Sequence, residues 1–432
     1  MDWRAQYRER LTTAQEAVKL IGPRGRVALG HAAGEPAALV AAMVANRAAY
    51  AGLEIVHMVS LGRAAYAQGG MEGSFRHNAL FVGPRTREAV REGRADFTPC
   101  FFHEIPELFS TALPLDAALV QVSPPDRHGF CSLGVSVDYT KAAVEGAKLV
   151  IAQVNPRMPR TMGGSFVHVS RLDRIVEASE ELPELPRSAL GDVEMAIGER
   201  CAALVRDGDC LQLGIGAIPD AVLASLKGKR DLGIHSEMIS DGVVDLVEAG
   251  VVTCSRKSLH PGKIVATFLM GTRRLYDFVD DNPLVELYPV DYVNDPAVIM
   301  RNDNLVSINS CVQVDLAGQV ASETVGPAQI SAVGGQVDFV RGAAMSRGGR
   351  SIIAMSATAK GGISKIVARL DEGAAVTTSR NDVDYVVTEH GVARLKGLTL
   401  RQRARALIGI AAPEARPALL EACSRLFPRG LD

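Results

Sequence analysis

The chain has 432 residues, 47% of them hydrophobic and 22% charged, and 47 Lys+Arg against 49 Asp+Glu give a formal net charge of -2. That length exceeds one compact core and points to two domains, and the composition is that of an ordinary globular protein, which excludes a disordered chain. A near-neutral balance with no long run of one sign excludes nucleic acid or an anionic membrane as a general partner.

In chain order, Met1 to Arg10 is charged and lacks the apolar core of a signal peptide, and no later run reaches membrane-spanning length, so a cytoplasmic protein is expected. Residues 4–21 read as one amphipathic helix, with Leu11, Ala14, Ala17, Val18 and Ile21 at helical spacing. Gly22-Pro23-Arg24-Gly25 breaks it. Arg26–Gly30 then reads as a strand, His31 to Gly34 as a loop, and Pro36 as the opening of a helix over 37–49. Leu53–Met58 follows as the next strand. Further strands are expected at Ala79–Val82, Ala117–Val122 and Leu149–Val154, and the polar loop Ser123 to Gly134 is expected at the rim of a crevice. The acidic, proline-rich stretch Glu180 to Arg187 marks a linker. It divides the chain into domains 1–187 and 188–432.

The second half opens with a helix over Asp192–Leu204. The apolar run Leu211–Leu213 stops at Gly214-Ile215-Gly216 and resumes as a helix at Pro219, which reads as strand, tight loop, helix. The strand Leu232–Ile234 then leads into His235-Ser236-Glu237, and a helix runs from Asp241 to Glu248. Strands follow at Val251–Cys254, Lys263–Leu269, Leu284–Tyr288, Leu305–Asn309, Val312–Asp315, Ser351–Met355 and Ala375–Thr377. A glycine-rich turn, Ala332 to Gln336, precedes a helix start, and Thr399–Leu426 reads as helical. Leu29-Gly30 corresponds to Leu213-Gly214, Pro36 to Pro219, and the strand at 53 to the strand at 232. The echo predicts an α/β fold of two similar open domains related by internal duplication.

In open parallel sheets ligands bind outside the carboxyl ends of the strands. The 214–217 loop would offer backbone N–H groups there, and Glu237 a carboxylate. A dinucleotide site is set aside because the third glycine of its fingerprint is missing. A serine hydrolase is set aside because Ser236 faces away from His235 and Glu237 on a strand and no G-x-S-x-G turn exists. An ordinary surface glutamate is the plain alternative for Glu237. The seven cysteines, Cys100, Cys131, Cys201, Cys210, Cys254, Cys311 and Cys423, are scattered. They show no C-x-x-C pair and no histidine at metal spacing, so free thiols are expected, with neither disulfides nor a metal site.

The segments Leu213 to Val222, Ile234 to Gly242, Gly334 to Phe339, Val387-Thr388-Glu389-His390-Gly391 and Ser123-Pro124-Pro125-Asp126-x-His128-Gly129 resemble the acetyl-CoA hydrolase/transferase family, in its 4-hydroxybutyrate CoA-transferase branch. The resemblance implies a class I CoA-transferase fold, with the active site between two open α/β domains and usually a homodimer. Glu237 matches the family's catalytic glutamate, which would pass through an acyl-glutamyl anhydride and a glutamyl-CoA thioester with ping-pong kinetics. Gly335 matches its oxyanion glycine. Leu213, Gly214, Ile215, Gly216 and Ala217 match its CoA-contacting loop, Ser331 and Lys360 match CoA-contacting positions, and Asn309 matches an asparagine near the acyl group. His31, His57 and Arg63 are candidates for carboxylate contacts, or else structural.

The substrates implied are coenzyme A esters and short-chain carboxylates, with no permanently bound cofactor. Gln336-Val337 departs from the Ser-Gly of the succinyl-CoA-using branch, which argues against succinate as donor. An acyl-CoA hydrolase using the same glutamate, a sugar-phosphate isomerase and a non-catalytic acyl-CoA sensor are the competing readings.

Overall fold

The computed structural model describes residues 2–426, with the side chain of Leu426 outside the description. The chain forms two compact units: one comprises Met1–Pro186 and Val265–Val293, the other Arg187–Ile264 and Asn294–Asp432. These units are discontinuous, unlike a simple division at 187. The stretch from 265 to 293 belongs with the first unit through hydrogen bonds such as Tyr276 Oη to Pro183 O at 2.7 Å and Leu185 N to Gly271 O at 2.9 Å.

The first unit is built on a sheet of seven parallel strands: β1 (Arg26–Leu29), β2 (Leu53–His57), β3 (Phe75–Ala79), β4 (Ala95–Phe97), β5 (Ala117–Val122), β6 (Leu149–Val154) and β7 (Arg174–Glu177). Their spatial order is β7-β6-β5-β1-β2-β3-β4. Strands of a wholly parallel sheet are covered on both faces and read as continuous apolar runs. Every residue of β5 is accordingly buried. The helix α1 (Ala37–Ala45) joins β1 to β2.

The second unit starts with helix α2 (Asp192–Ala203) and carries a six-stranded sheet of β8 (Cys210–Leu213), β9 (Gly233–Ile234), β10 (Leu305–Asn309), β11 (Arg350–Ala354), β12 (Tyr385–Thr388) and β13 (Gly391–Arg394). The order is β9-β8-β10-β11-β12-β13, with only the final pair antiparallel. Helix α3 (Ala217–Ser225) joins β8 to β9, α4 (Asp241–Glu248) follows β9, and α5 (Gln336–Met345) packs on β10 and β11. The first strand of each sheet is thus flanked on one side by the strand next in sequence and on the other by the strand that returns after the crossover. β1 lies between β2 and β5 as β8 lies between β9 and β10. This is the topological counterpart of the sequence echo.

Several expected elements are corrected. The single helix over 4–21 is two helices, Trp3–Arg10 and Ala14–Val18. Leu11 leaves the first to bridge Ile175, and the Thr13 hydroxyl caps a new start by accepting from Glu16 N. The strand expected at Ala79–Val82 lies at Phe75–Ala79, where His77 donates from Nδ1 to Ile55 O and Asn78 pairs with Glu54, so polar side chains occupy what pattern alone reads as a loop. Val251–Cys254 and Ala375–Thr377 are not strands. The C-terminal helix is divided into Leu400–Gly409 and Arg416–Leu426, with Pro413 at the break. Among the described residues no helix is long and apolar enough to cross a membrane.

Candidate active site

β8 is buried along its length and ends at Leu213. The chain then turns through Gly214, Ile215 and Gly216 before α3 begins at Ala217. Gly216 has φ 109° and ψ -179°, a region essentially closed to side-chain-bearing residues, which explains the glycine. Neither Gly214 nor Gly216 has a neighbour within 4 Å of where a Cβ would stand, and Ile215 is 43% exposed. The loop is an open arc of backbone ahead of a helix N-terminus, where N–H groups lack intrahelical partners.

Beside it, β9 pairs with β8 through Cys210 with Gly233 and Leu211 with Ile234, and His235 N donates to Leu211 O at 3.1 Å. The strand that delivers Glu237 is fixed from two further directions. The buried Lys257 donates from Nζ to Ile234 O at 2.8 Å. The Ser236 hydroxyl donates to Leu213 O at 3.1 Å and accepts from Leu213 N at 3.3 Å. Glu237 itself is half-buried.

Two residues close on its carboxylate. Asn294, fully buried, donates from Nδ2 to Glu237 Oε2 at 2.9 Å. Gly335 stands where a Cβ would lie 1.9 Å from Glu237 Oε2 and 2.2 Å from Asn294 Nδ2. The carboxylate therefore rests against the bare Cα of Gly335, the residue that caps α5. Negative charge is favoured at a helix N-terminus. Only glycine admits this approach, and its φ of -97° shows that space rather than backbone conformation demands it. Next to it, Gln336 Nε2 donates to Thr378 Oγ1 at 3.1 Å.

The structure thus brings together Glu237, Gly335 and, through Ser236, the Leu213 end of the glycine loop. Asn309, at the end of β10, exchanges two hydrogen bonds with Gln212, at 3.2 and 3.1 Å, and donates to Ser307 Oγ at 3.1 Å. The asparagine that meets Glu237 is Asn294. It was not singled out in the sequence because Asn-Asp-Pro reads as turn chemistry ahead of a helix, and Asp295 does cap the short helix Pro296–Ile299.

Ser331 is half-buried in the segment before the glycine turn, where its N–H donates to Glu323 O at 3.0 Å. Lys360 is exposed at the tip of a hairpin closed by Ala359 N to Ile363 O at 2.7 Å, with Gly361 and Gly362 at φ 81° and 77°.

His31 and His57 lie in the first unit, both buried. His31 Nδ1 is 3.0 Å from Asp138 Oδ2, while His57 is hydrogen-bonded to Tyr66 Oη and Gly30 O. Burial holds the His57 imidazolium well below its ordinary range. Arg63 is exposed. All seven cysteines are free thiols, and burial pushes Cys210 up to about 12, which leaves it an inert thiol. Among the described residues no His, Cys, Asp and Glu group could hold a metal ion. A cavity of about 530 Å³ lined by Asp315, Gln319, Arg369 and Asp371 includes none of the residues above. The polar convergence at Glu237 is the better guide to chemistry, because placed partners around a carboxylate, and not volume alone, mark a reacting site.

A carboxylate seated on a glycine at a helix start, beside an open backbone loop at a strand end, places a nucleophile near N–H donors, the parts that acyl transfer needs. Residues 1–185 match the acetyl-CoA hydrolase/transferase N-terminal domain and residues 271–423 its C-terminal domain. The chain is 64% identical over 429 residues to the 4-hydroxybutyrate coenzyme A transferase of Clostridium kluyveri, covering 99% of this chain and 100% of that one. Among solved structures, a 4-hydroxybutyrate CoA-transferase from Porphyromonas gingivalis is 46% identical with a TM-score of 0.86, covering 99% and 100% of the two chains. RipA from Yersinia pestis is 40% identical with a TM-score of 0.94, covering 99% of each. The chain belongs to the acetyl-CoA hydrolase/transferase family of enzymes.

Proposed function

We propose that the protein is a CoA-transferase that moves coenzyme A between short-chain carboxylic acids, of the acetate, butyrate or 4-hydroxybutyrate type, through covalent intermediates on Glu237. The reading is supported by full-length similarity to the Clostridium kluyveri transferase and, in the structure, by one observation above the rest: the Glu237 carboxylate against Gly335.

In this mechanism a Glu237 oxygen attacks the thioester carbon of the donor. The tetrahedral oxyanion collapses, the C–S bond breaks, and CoA thiolate leaves behind an acyl-glutamyl anhydride. The thiolate then attacks the glutamyl carbonyl, expelling the donor acid as its carboxylate and leaving a glutamyl-CoA thioester. An acceptor carboxylate attacks that thioester and the steps run in reverse, regenerating Glu237. Each oxyanion needs a donor fixed in advance, and the Gly335 N–H at the start of α5 suits that role; loss of one such donor costs about 3 kcal/mol. The glycine loop Leu213 to Ala217 would take the CoA chain, with Ser331 and Lys360 as further contacts, and Lys360 as the partner of its phosphates. A homodimer and a cytoplasmic location complete the reading.

Intact mass spectrometry after incubation with butyryl-CoA, then borohydride treatment and peptide mapping, tests it. A CoA adduct, or its reduced alcohol, on Glu237 is expected. An unmodified Glu237 in a protein that still binds CoA esters would overturn the reading.

A further inference from the structure

The β8–β9 ladder pairs Cys210 with Gly233 and Leu211 with Ile234, a few residues before Glu237. Near its end His235 N donates to Leu211 O. At the next step the Ser236 side chain takes over: its hydroxyl accepts from Leu213 N and donates to Leu213 O, so one side chain satisfies both polar groups of one residue. Ser236 is 1% exposed, so water does not compete for these bonds. Leu213 is the last residue before the glycine loop, and Ser236 the last before Glu237.

We infer that Ser236 is a positioning residue for the transferase reaction, the clasp that holds the Glu237 turn and the glycine loop in one fixed relation. The inference rests on the function proposed above. If the loop carries the CoA ester and Glu237 attacks it, the nucleophile-to-thioester alignment passes through the Ser236 hydroxyl. The Ser236 hydroxyl joins the two segments directly, through both its bonds to Leu213. Lys257 steadies β9 through Ile234 O, and Asn294 steadies the carboxylate.

The second unit supplies a matched control. Ser346 is also buried, donates from Oγ to Asn302 O at 2.6 Å and accepts from Leu305 N at 3.3 Å, but at the opposite, N-terminal end of β10. S236A and S346A lose the same two kinds of bond. The experiment measures kcat and KM for CoA transfer from butyryl-CoA to acetate, with thermal midpoints, in S236A, S346A, S236T and E237A. A displacement of about 1 Å in a reacting group can cost on the order of 100-fold, so S236A is expected to lower kcat by about 10- to 100-fold. S346A should keep the wild-type kcat despite a comparable drop in midpoint, and S236T, which keeps the hydroxyl, should recover most of the loss.

An S236A kcat equal to that of S346A overturns the inference, as does an effect confined to KM. A fully active E237A overturns the functional reading instead. Should S236A fail to fold, S236C gives the same comparison, and wild-type kcat in that variant also overturns the inference.

Discussion

Gly335→Ala asks the structure for a number. The added methyl would stand 1.9 Å from Glu237 Oε2 and 2.2 Å from Asn294 Nδ2. To restore ordinary contact the carboxylate must retreat by about 1.5 Å, because non-bonded heavy atoms settle near 3.5 Å. A 1 Å misplacement at a reacting centre is worth roughly 100-fold, so kcat should fall at least about 100-fold, close to 3 kcal/mol. The fold should lose only about 1 to 3 kcal/mol, from crowding against the buried Asn294. Gly335 has φ -97°, which alanine adopts freely, and an alanine in place of glycine at a helix cap costs about 1 kcal/mol. Steady-state CoA transfer with butyryl-CoA and acetate, beside a thermal melt, separates the two effects. Gly228→Ala, at a glycine with nothing within 4 Å of the added carbon, is the control expected to retain activity. If Gly335→Ala turns over like the wild type, the carboxylate does not act from the position described.

Asn294→Asp replaces the donor to Glu237 Oε2 with a second acid of the same shape. Two carboxylates about 4 Å apart repel by about 4 kcal/mol at an effective dielectric constant near 20, so the pair should titrate together. The acid limb of the kcat/KM profile is then expected to move up by about 2 to 3 pH units, and an unmoved limb would refute a role for Asn294 at the carboxylate.

A further prediction concerns stability. Burial pushes His77 down to about 4, against 6.5 for a free histidine. The unfolded chain therefore binds this proton where the native state does not. The stability His77 contributes is present above pH 6.5 and is lost as pH falls toward 4, by roughly 3 kcal/mol in all. His77→Asn should flatten the acid side of the midpoint-against-pH curve, and a slope identical to the wild type would contradict it.

Legibility in the sequence followed burial. Strands at Ala117–Val122, Leu149–Val154 and Leu305–Asn309 stand at their expected bounds, because unbroken apolar runs have one way to be covered in a parallel sheet. The repeat was legible as well, since a glycine follows the first strand of both copies and a proline stands near the start of the next helix, Pro36 just before it and Pro219 at its third residue. What misled was polar content inside the sheet. His77 and Asn78 in β3 are satisfied by Ile55 and Glu54, partners that no local pattern reveals. The long N-terminal helix failed at Thr13, whose capping hydroxyl outweighs a periodicity that continues through it.

At the site, Glu237 was singled out by its strand-end setting and Gly335 by its glycine turn together with the resemblance to the family, and the structure brings the two into contact. Asn294 was not singled out, because its importance comes from a partner 57 positions away. Asn309 carried the same residue type in a plausible strand-end setting, yet its amide is engaged by Gln212.

The excursion of Val265–Val293 into the first unit bears on how the chain comes into being. Thr267 accepts from Val137 and Asp138, and the strand Val285–Leu287 pairs with Met162–Gly163, so the first unit lacks part of its own hydrogen-bonding until residue 293 has been made. At a synthesis rate of about 5 to 20 residues per second, the N-terminal portion waits some 5 to 20 s after Pro186 for its missing piece. During that interval β8, β9 and α4 have already emerged. The two halves of this molecule are therefore interleaved in time, and a fragment cut at the linker would inherit an unfinished unit instead of an independent one.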